Sequence, residues 1–328
     1  MEIGLYDVDS HNFPNLALMK ISAYHKNKKD NVEMLDRFKH YDIVYVSKIF
    51  GDEYSQIDET CETCIDADTI ISGGTGFAIK VVNGKEVYES KADPALDNQI
   101  EHIYPDYSLY PDLTKNTAYG FLTRGCCNNC DFCIVSKKEG LCSKKVADLS
   151  EFWRGQKVIK LMDANLLACK DKIDLLEQLA ASKAKVEFVQ GLDARFIDDD
   201  VVDLLKKIKV KMYHFAFDFM KNEKQIIKGL ETFVKGMEYN EKKSRNCYVY
   251  ILTNYNTTFK EDMRRVELVQ KVGLAPYIMI YRKNTAPKIT RDLQRWCNNR
   301  FIYRAVDNFK NYIPRADGKT IKEIYFEN

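Results

Sequence analysis

The sequence predicts an α/β protein whose sheets are made of parallel strands. Short apolar runs alternate along the chain with stretches of helical periodicity, which is the pattern of strands joined by crossover helices. Apolar residues make up 45% and charged residues 30% of the 328 residues, a balance typical of folded globular proteins. That length suits two domains, or one large α/β domain with an extension.

The net charge and the cysteine content bear on which partners the protein binds and in which cellular compartment it works. Lys and Arg number 50 against 48 Asp and Glu, so the net charge of +2 points neither toward nor away from nucleic acid. No apolar run reaches the roughly 18 residues of a membrane span, and the opening MEIGLYDVDSHNFPN lacks the layout of a signal peptide. Ten cysteines in such a chain favour a reducing compartment, where thiols stay free for metals or catalysis. We therefore expect a cytoplasmic protein with no membrane partner.

Residues 1–76 predict a small parallel sheet. An apolar run over Ile3–Val8 predicts a strand, and an apolar face over Leu16–His25 predicts a helix. Three further short apolar runs predict strands: Val32–Leu35, Ile43–Val46 and Thr69–Ser72. The glycine-rich stretch that follows, GGTG from Gly73, favours a tight backbone turn because it lacks the lysine and spacing of a nucleotide-binding loop.

Residues 77–115 predict a hairpin followed by an irregular connector, because prolines and acidic residues interrupt the pattern. Six candidate strands come after it: Ala118–Leu122, Val158–Met162, Val186–Gln190, Met212–Phe217, Cys247–Leu252 and Tyr277–Tyr281. Four helical patterns separate them: Asp171–Ala181, Asp198–Ile208, Lys221–Met237 and Lys260–Val272. Six βα units are fewer than the eight of a closed barrel, so residues 116–285 predict an open, partial (βα)6 barrel of TIM type. Residues 286–328 carry apolar side chains, among them Leu293, Trp296 and Phe301, which predict C-terminal helices packed on the barrel.

Cysteines are concentrated in the segment after the first barrel strand. Four of them fall within eight residues: Cys126, Cys127, Cys130 and Cys133. Zinc sites of four cysteines usually come as two separated pairs, although Cys142 would complete such a set here. A ferredoxin spacing starting at Cys127 fails at its fourth position, which is Lys137. Ordinary buried thiols are a further alternative, but a loop bearing Gly and Asn is poor core material.

The spacing that remains joins Cys126, Cys130 and Cys133 and leaves Cys127 out. Three thiolates are able to hold three irons of a [4Fe–4S] cluster, and the fourth iron then stays open to a substrate or cofactor. The segment follows a barrel strand, so it lies at the carboxyl edge where barrel active sites form.

With Phe132 just before the last cysteine, this spacing resembles the radical S-adenosylmethionine superfamily, and the resemblance covers roughly residues 116–285. It implies one [4Fe–4S] cluster whose open iron binds the amino and carboxylate groups of S-adenosylmethionine. It also implies reductive cleavage to a 5′-deoxyadenosyl radical, which abstracts hydrogen from an unidentified substrate. An electron donor such as flavodoxin or ferredoxin is the implied partner.

The same resemblance assigns further residues to cofactor binding. It places Phe132 near the adenine. Asp163 and Asn165, after the second barrel strand, resemble the Asp-x-Asn form of relatives that have an N-terminal cobalamin-binding-type domain. A strand-end turn with a helix cap is the alternative for this pair.

Polar residues also follow the third barrel strand. Arg195 is expected to hold the methionine carboxylate in a bidentate pair, and Gln190 or Asp193 to meet the ribose or the substrate. A salt-bridged turn is the alternative interpretation of this stretch.

Two segments, Pro14–Leu18 and Val32–Asp36, resemble the opening of a Rossmann-like, cobalamin-binding-type domain. Cobalamin itself is not expected, because the motif Asp-x-His-x-x-Gly is present only as Asp9, His11 and Pro14. Proline removes the conformational freedom and the N–H that glycine supplies at that position. The domain is then expected to contact a substrate or a partner.

Two other interpretations remain open. The loop from Cys133 to Gly140 loosely resembles that of methylthiotransferases that modify RNA, but those enzymes need three more upstream cysteines where this chain has Cys61 and Cys64, expected to be free thiols. A non-enzymatic, cysteine-rich metal module that orders a partner-binding surface is the competing class. The substrate class, whether small molecule, nucleic acid or peptide, does not follow from the sequence.

Overall fold

The computed structural model describes residues 1–52, 54–55, 65–82, 85–239 and 246–327. Cys61 and Cys64 lie outside these residues. The chain divides into two units, residues 1–189 and 190–328, and each is described by itself. The predicted domain boundaries at residues 76, 115 and 285 stay a prediction.

The first unit opens with a parallel sheet of four strands, in the order β2-β1-β3-β4. The strands are β1 Glu2–Asp7, β2 Asn31–Met34, β3 Tyr41–Ser47 and β4 Ala67–Gly73. Ile3 lies opposite both Val32 and Ile43, which places β1 in the interior of the sheet. The helix Leu16–Asn27 packs on it and begins at Asn15, whose side chain accepts from the Leu18 N–H at 3.2 Å. The elements predicted for residues 1–76 are thus present.

The predicted hairpin is present, and short helical segments follow it where an irregular connector was expected. Strands β5 Ile79–Val82 and β6 Lys85–Tyr88 pair antiparallel. The short helical segments of this region are Thr75–Ala78, Ser90–Ala92, Asn98–Glu101, Tyr107–Leu109 and Pro111–Thr114.

Three parallel strands complete the first unit: β7 Thr117–Gly120, β10 Val158–Leu161 and β11 Lys185–Phe188. β10 lies between the other two. The two-residue strands β8 Thr123–Arg124 and β9 Lys144–Lys145 pair antiparallel beside them. Helical segments join the strands: Val135–Glu139, Leu149–Glu151, Leu166–Ala168 and Lys172–Ser182.

The second unit is built on the parallel strands β13 Tyr213–Ala216, β14 Cys247–Thr253 and β15 Ala275–Ile280, with β14 in the middle. A two-residue strand, β12 Lys209–Val210, precedes them. The longer helices are Asp199–Lys207, Glu223–Gly236, Phe259–Lys271 and Lys288–Asn298. Shorter helical segments are Ala194–Phe196, Met220–Asn222, Lys283–Thr285, Arg300–Ala305, Phe309–Asn311 and Ile321–Tyr325.

All six strands predicted for residues 116–285 are present, with their ends displaced by at most two residues. Their closure into one open barrel stays a prediction. In the C-terminal segment Leu293 and Trp296 are buried as expected, but Phe301 is 88% exposed, so its predicted packing is wrong. Phe301 lies in a helix of only six residues, and the helix has no buried residue. Within the described ranges, every helix is too short or too polar to cross a membrane.

A buried guanidinium holds the carboxyl ends of two strands in the second unit. Arg265 is fully buried in the helix Phe259–Lys271. It donates to the carbonyls of Phe217 and Asp218 after β13, both at 2.8 Å, and to Leu252 of β14 at 2.9 Å. Its charge is paired with Asp262 at 2.5 Å. These donors satisfy carbonyls at the edge of the sheet and fix the helix against it.

Arg265→Met should lower the free energy of unfolding by about 3–5 kcal/mol, because it leaves Asp262 as a buried charge without its partner. Arg264→Met is the matched control. Its guanidinium is 58% exposed and pairs with Glu223, so we expect a loss below about 1 kcal/mol. Urea denaturation of both variants measures the two losses, and equal losses would contradict the role given to Arg265.

Candidate functional site

The four clustered cysteines lie in a loop of the first unit, residues 125–134, here called the cysteine loop. It starts after β8 and ends where the helix Val135–Glu139 begins. β8 and β9 pair through Arg124 and Lys144, so this small ladder closes the base of the loop. The loop therefore projects from a fixed frame beyond the end of β7.

Glu139 fastens the two ends of the cysteine loop together. Its carboxylate accepts from the Arg124 guanidinium at 2.8 Å and from the Gly125 N–H at 2.9 Å. The Cys126 N–H donates to the Gly140 carbonyl at 3.2 Å. Gly125 has a φ of +89°, and an added Cβ would lie 2.2 Å from the Cys142 carbonyl oxygen, so this position requires glycine.

Asp163 fastens the segment that enters the cysteine loop. It follows β10, is 4% exposed, and accepts from the Leu122 N–H at 3.1 Å and from the Thr123 N–H and hydroxyl at 2.5 and 2.6 Å. Burial raises the pKa of Asp163 to about 6, while the hydrogen bonds from Thr123 and Leu122 act in the opposite direction. In this structure its carboxylate is hydrogen-bonded to the segment that enters the cysteine loop. Its predicted contact with S-adenosylmethionine stays a prediction.

Asn165 reaches the thiols themselves. Its side-chain Nδ2 lies 3.6 Å from the Cys126 Sγ and 3.9 Å from the Cys127 Sγ. The backbone N–H of Asn128 also donates to the Cys126 Sγ, at 3.4 Å. The fold thus brings Asn165 to a cysteine that lies 39 residues away in sequence.

The donor set suits an iron–sulfur cluster. Cys126, Cys130 and Cys133 are half-buried on one loop, Cys127 is exposed, and N–H groups donate to sulfur, as is usual around such clusters. Across the described ranges, no three His, Cys, Asp or Glu side chains are grouped to hold a metal ion. Phe132 lies between Cys130 and Cys133 and is half-buried.

Gln190, Asp193 and Arg195 lie at the start of the second unit. Asp193 accepts from the Arg195 Nε at 2.9 Å and the Nη2 at 2.5 Å, and both side chains are mostly buried. The stretch is therefore a salt-bridged turn, the alternative raised by the sequence. A role of these three residues in binding S-adenosylmethionine stays a prediction.

The sequence interpretation missed the contacts of two carboxylates. Glu139 gave no signal, because a carboxylate before Gly140 looks like an ordinary helix end. Asp218 lies after β13 in the second unit, where burial raises its pKa and its carboxylate accepts from the Leu252 N–H at 3.3 Å. Both depend on partners distant in sequence, which a local pattern does not show.

Hydrogen bonds of Asp9 and Gly76 connect the segments at the carboxyl edge of the N-terminal sheet. Asp9, after β1, is 3% exposed and accepts from the N–H groups of Ile49 and Phe50 after β3, at 2.8 and 2.9 Å. Gly76 donates to the Lys48 carbonyl at 2.9 Å, and an added Cβ there would lie 2.4 Å from the Phe50 carbonyl oxygen. The predicted tight turn is confirmed. The expectation that this domain binds no cobalamin stays a prediction.

Neither a family model nor a curated protein matches the chain. Among solved structures, the chain is similar to a radical S-adenosylmethionine methyltransferase, TsrM from Kitasatospora setae, whose structure holds cobalamin and a [4Fe–4S] cluster. The TM-score is 0.58 at 12% sequence identity, over 85% of this chain and 74% of that one. At this identity the likeness shows the fold alone: an α/β fold with parallel sheets.

Asp163→Asn should change stability in a pH-dependent way. The folded-state pKa of about 6 lies above the ordinary value of 3.8, so the folded state binds the proton more tightly. The stability that this group adds is present below about pH 4 and is lost as the pH rises through 6. The free energy of unfolding of the natural protein should therefore fall relative to the variant by roughly 3 kcal/mol between pH 4 and 7.

Chemical denaturation of both proteins across this pH range measures the difference. The exposed Asp203, whose side chain is 66% exposed, provides the control substitution Asp203→Asn. A difference between natural protein and Asp163→Asn that stays constant with pH would contradict the raised pKa.

Proposed function

We propose that this chain is a radical S-adenosylmethionine enzyme with one [4Fe–4S] cluster held by Cys126, Cys130 and Cys133. The observation that carries the proposal is the cysteine loop. It presents three thiols at the spacing of that superfamily, a few residues beyond the parallel strand β7. The similarity in fold to a solved radical S-adenosylmethionine methyltransferase supports it.

The chain's own residues would bind and orient the cluster and the cofactor and shield them from solvent. Glu139 and Asp163 hold the ends of the cysteine loop, so the thiolates are presented from a fixed backbone. Phe132 would pack near the adenine. When bound and reduced by a flavodoxin- or ferredoxin-type donor, the cluster would supply the electron that cleaves S-adenosylmethionine to methionine and a 5′-deoxyadenosyl radical. Hydrogen abstraction from an unidentified substrate would follow.

The proposed architecture is a Rossmann-like N-terminal domain and an open (βα)6 barrel. Its support is the number of parallel strands between residues 117 and 280 in the described part, three in each unit. The N-terminal domain would contact substrate or partner without cobalamin, because Pro14 stands where the cobalamin motif has glycine. We assign the protein to the cytoplasm.

The proposal is tested by anaerobic reconstitution with iron and sulfide. About four irons per chain and a broad brown absorption are expected. Dithionite and S-adenosylmethionine should then release 5′-deoxyadenosine, measured by liquid chromatography. A colourless protein that takes up zinc and leaves the cofactor intact would instead assign the loop to a non-enzymatic metal module.

Cysteine variants test the ligand set. Cys130→Ala should abolish cluster binding, because two thiolates remain of three. Cys127→Ala is the matched control from the same loop and should keep the cluster. Analysis of iron and sulfide after reconstitution measures the cluster content of both variants. Loss of iron in Cys127→Ala alone would overturn the choice of ligands.

A further inference from the structure

The sulfur of Cys126 receives two N–H groups in the structure. One is the Asn128 backbone N–H at 3.4 Å, and the other is the side-chain amide of Asn165 at 3.6 Å. The same amide lies 3.9 Å from the Cys127 sulfur. Of the two adjacent thiols, Cys126 is half-buried and has the shorter contact with Asn165, whereas Cys127 is exposed.

The amide of Asn165 is held in place by its neighbours. Asp163, two residues before it, is bound to the segment that leads into the cysteine loop. Leu166 and Leu167, directly after it, are buried, and the Ala168 N–H donates to the Asn165 carbonyl at 3.3 Å. Asn165 itself is 4% exposed. The N–H group is therefore presented to the sulfur from a fixed and largely dry position.

A fixed N–H group near a ligand sulfur acts on the charge of an iron–sulfur cluster. Reduction adds one negative charge, which spreads over the thiolate sulfurs. A hydrogen bond to such a sulfur stabilises the reduced form more than the oxidised form, so it raises the reduction potential. The effect is larger at a buried site, because less solvent screens the dipole of the N–H group.

We propose that Asn165 is a positioning residue for the cluster: its amide donates to the Cys126 thiolate and raises the reduction potential of the bound cluster. This inference rests on the proposed function, since it requires a cluster on Cys126. It differs from a role in binding S-adenosylmethionine, because it acts on the cluster before the cofactor is present.

The test uses reconstituted full-length protein without S-adenosylmethionine. Asn165→Leu removes the N–H group at similar volume, and Asn165→Asp replaces it with an oxygen. Asn129→Ala is the control from the same loop, where the side chain accepts from the Ser136 hydroxyl at 3.1 Å. Redox titration followed by electron paramagnetic resonance measures the ratio of reduced to oxidised cluster at each potential.

We expect iron content to be retained in all variants. At a fixed potential the ratio of reduced to oxidised cluster should fall about tenfold in Asn165→Leu, which corresponds to about 59 mV for a one-electron couple. The fall should be larger in Asn165→Asp, and the ratio should be unchanged in Asn129→Ala.

The outcomes separate the inference from the proposed function. Natural protein that binds no cluster would overturn both. Natural protein with a cluster, and unchanged potentials in both Asn165 variants, would overturn the inference alone. A shift that appears only after S-adenosylmethionine is added would also overturn it and would assign Asn165 to cofactor binding. If Asn165→Leu loses its iron, the reduction potential of Asn165→Asp decides the question, since that variant keeps the size and shape of the side chain.

Discussion

The buried carboxylate of Asp163 is the contact on which the candidate site depends. It follows β10 and accepts from the N–H groups of Leu122 and Thr123, so it ties this strand to the segment that leaves β7. A carboxylate accepts several hydrogen bonds at once, which an amide oxygen does less well. Burial opposes this arrangement by favouring the protonated form. The start of the cysteine loop is therefore set by a balance between desolvation and hydrogen bonding.

Glu139 fixes the far end of the cysteine loop, as Asp163 fixes the segment that enters it. It binds Arg124 and the Gly125 N–H, so the loop between them is closed by charge-assisted hydrogen bonds. A loop held at both ends loses less conformational freedom when a ligand orders it. The thiols then differ by their surroundings: Cys126 receives two N–H groups, while Cys127 is exposed. Chemically identical side chains are thereby made unequal before any metal is bound.

Much of the fold could be predicted because its signals are local. Each of the six parallel strands predicted for residues 116–285 is a short apolar run, and such a run predicts the position of its strand to within two residues. The turn after Gly73 is equally local. Phe301 was assigned to the core on hydrophobicity alone, yet it is exposed, because burial depends on what lies opposite a side chain. Arg265 was not singled out for the same reason, since its partners lie on β13, β14 and their ends.

By itself the sequence determined the order of strands and helices and the spacing of Cys126, Cys130 and Cys133. These features are set by residues close together in the chain. Only the tertiary structure decided what surrounds the thiols. Asn165 was already a candidate residue, but its contact with the Cys126 sulfur spans 39 residues of sequence. Such a contact exists only once β10 pairs with β7, because strand pairing, and not sequence spacing, brings the two loops to the same edge of the sheet.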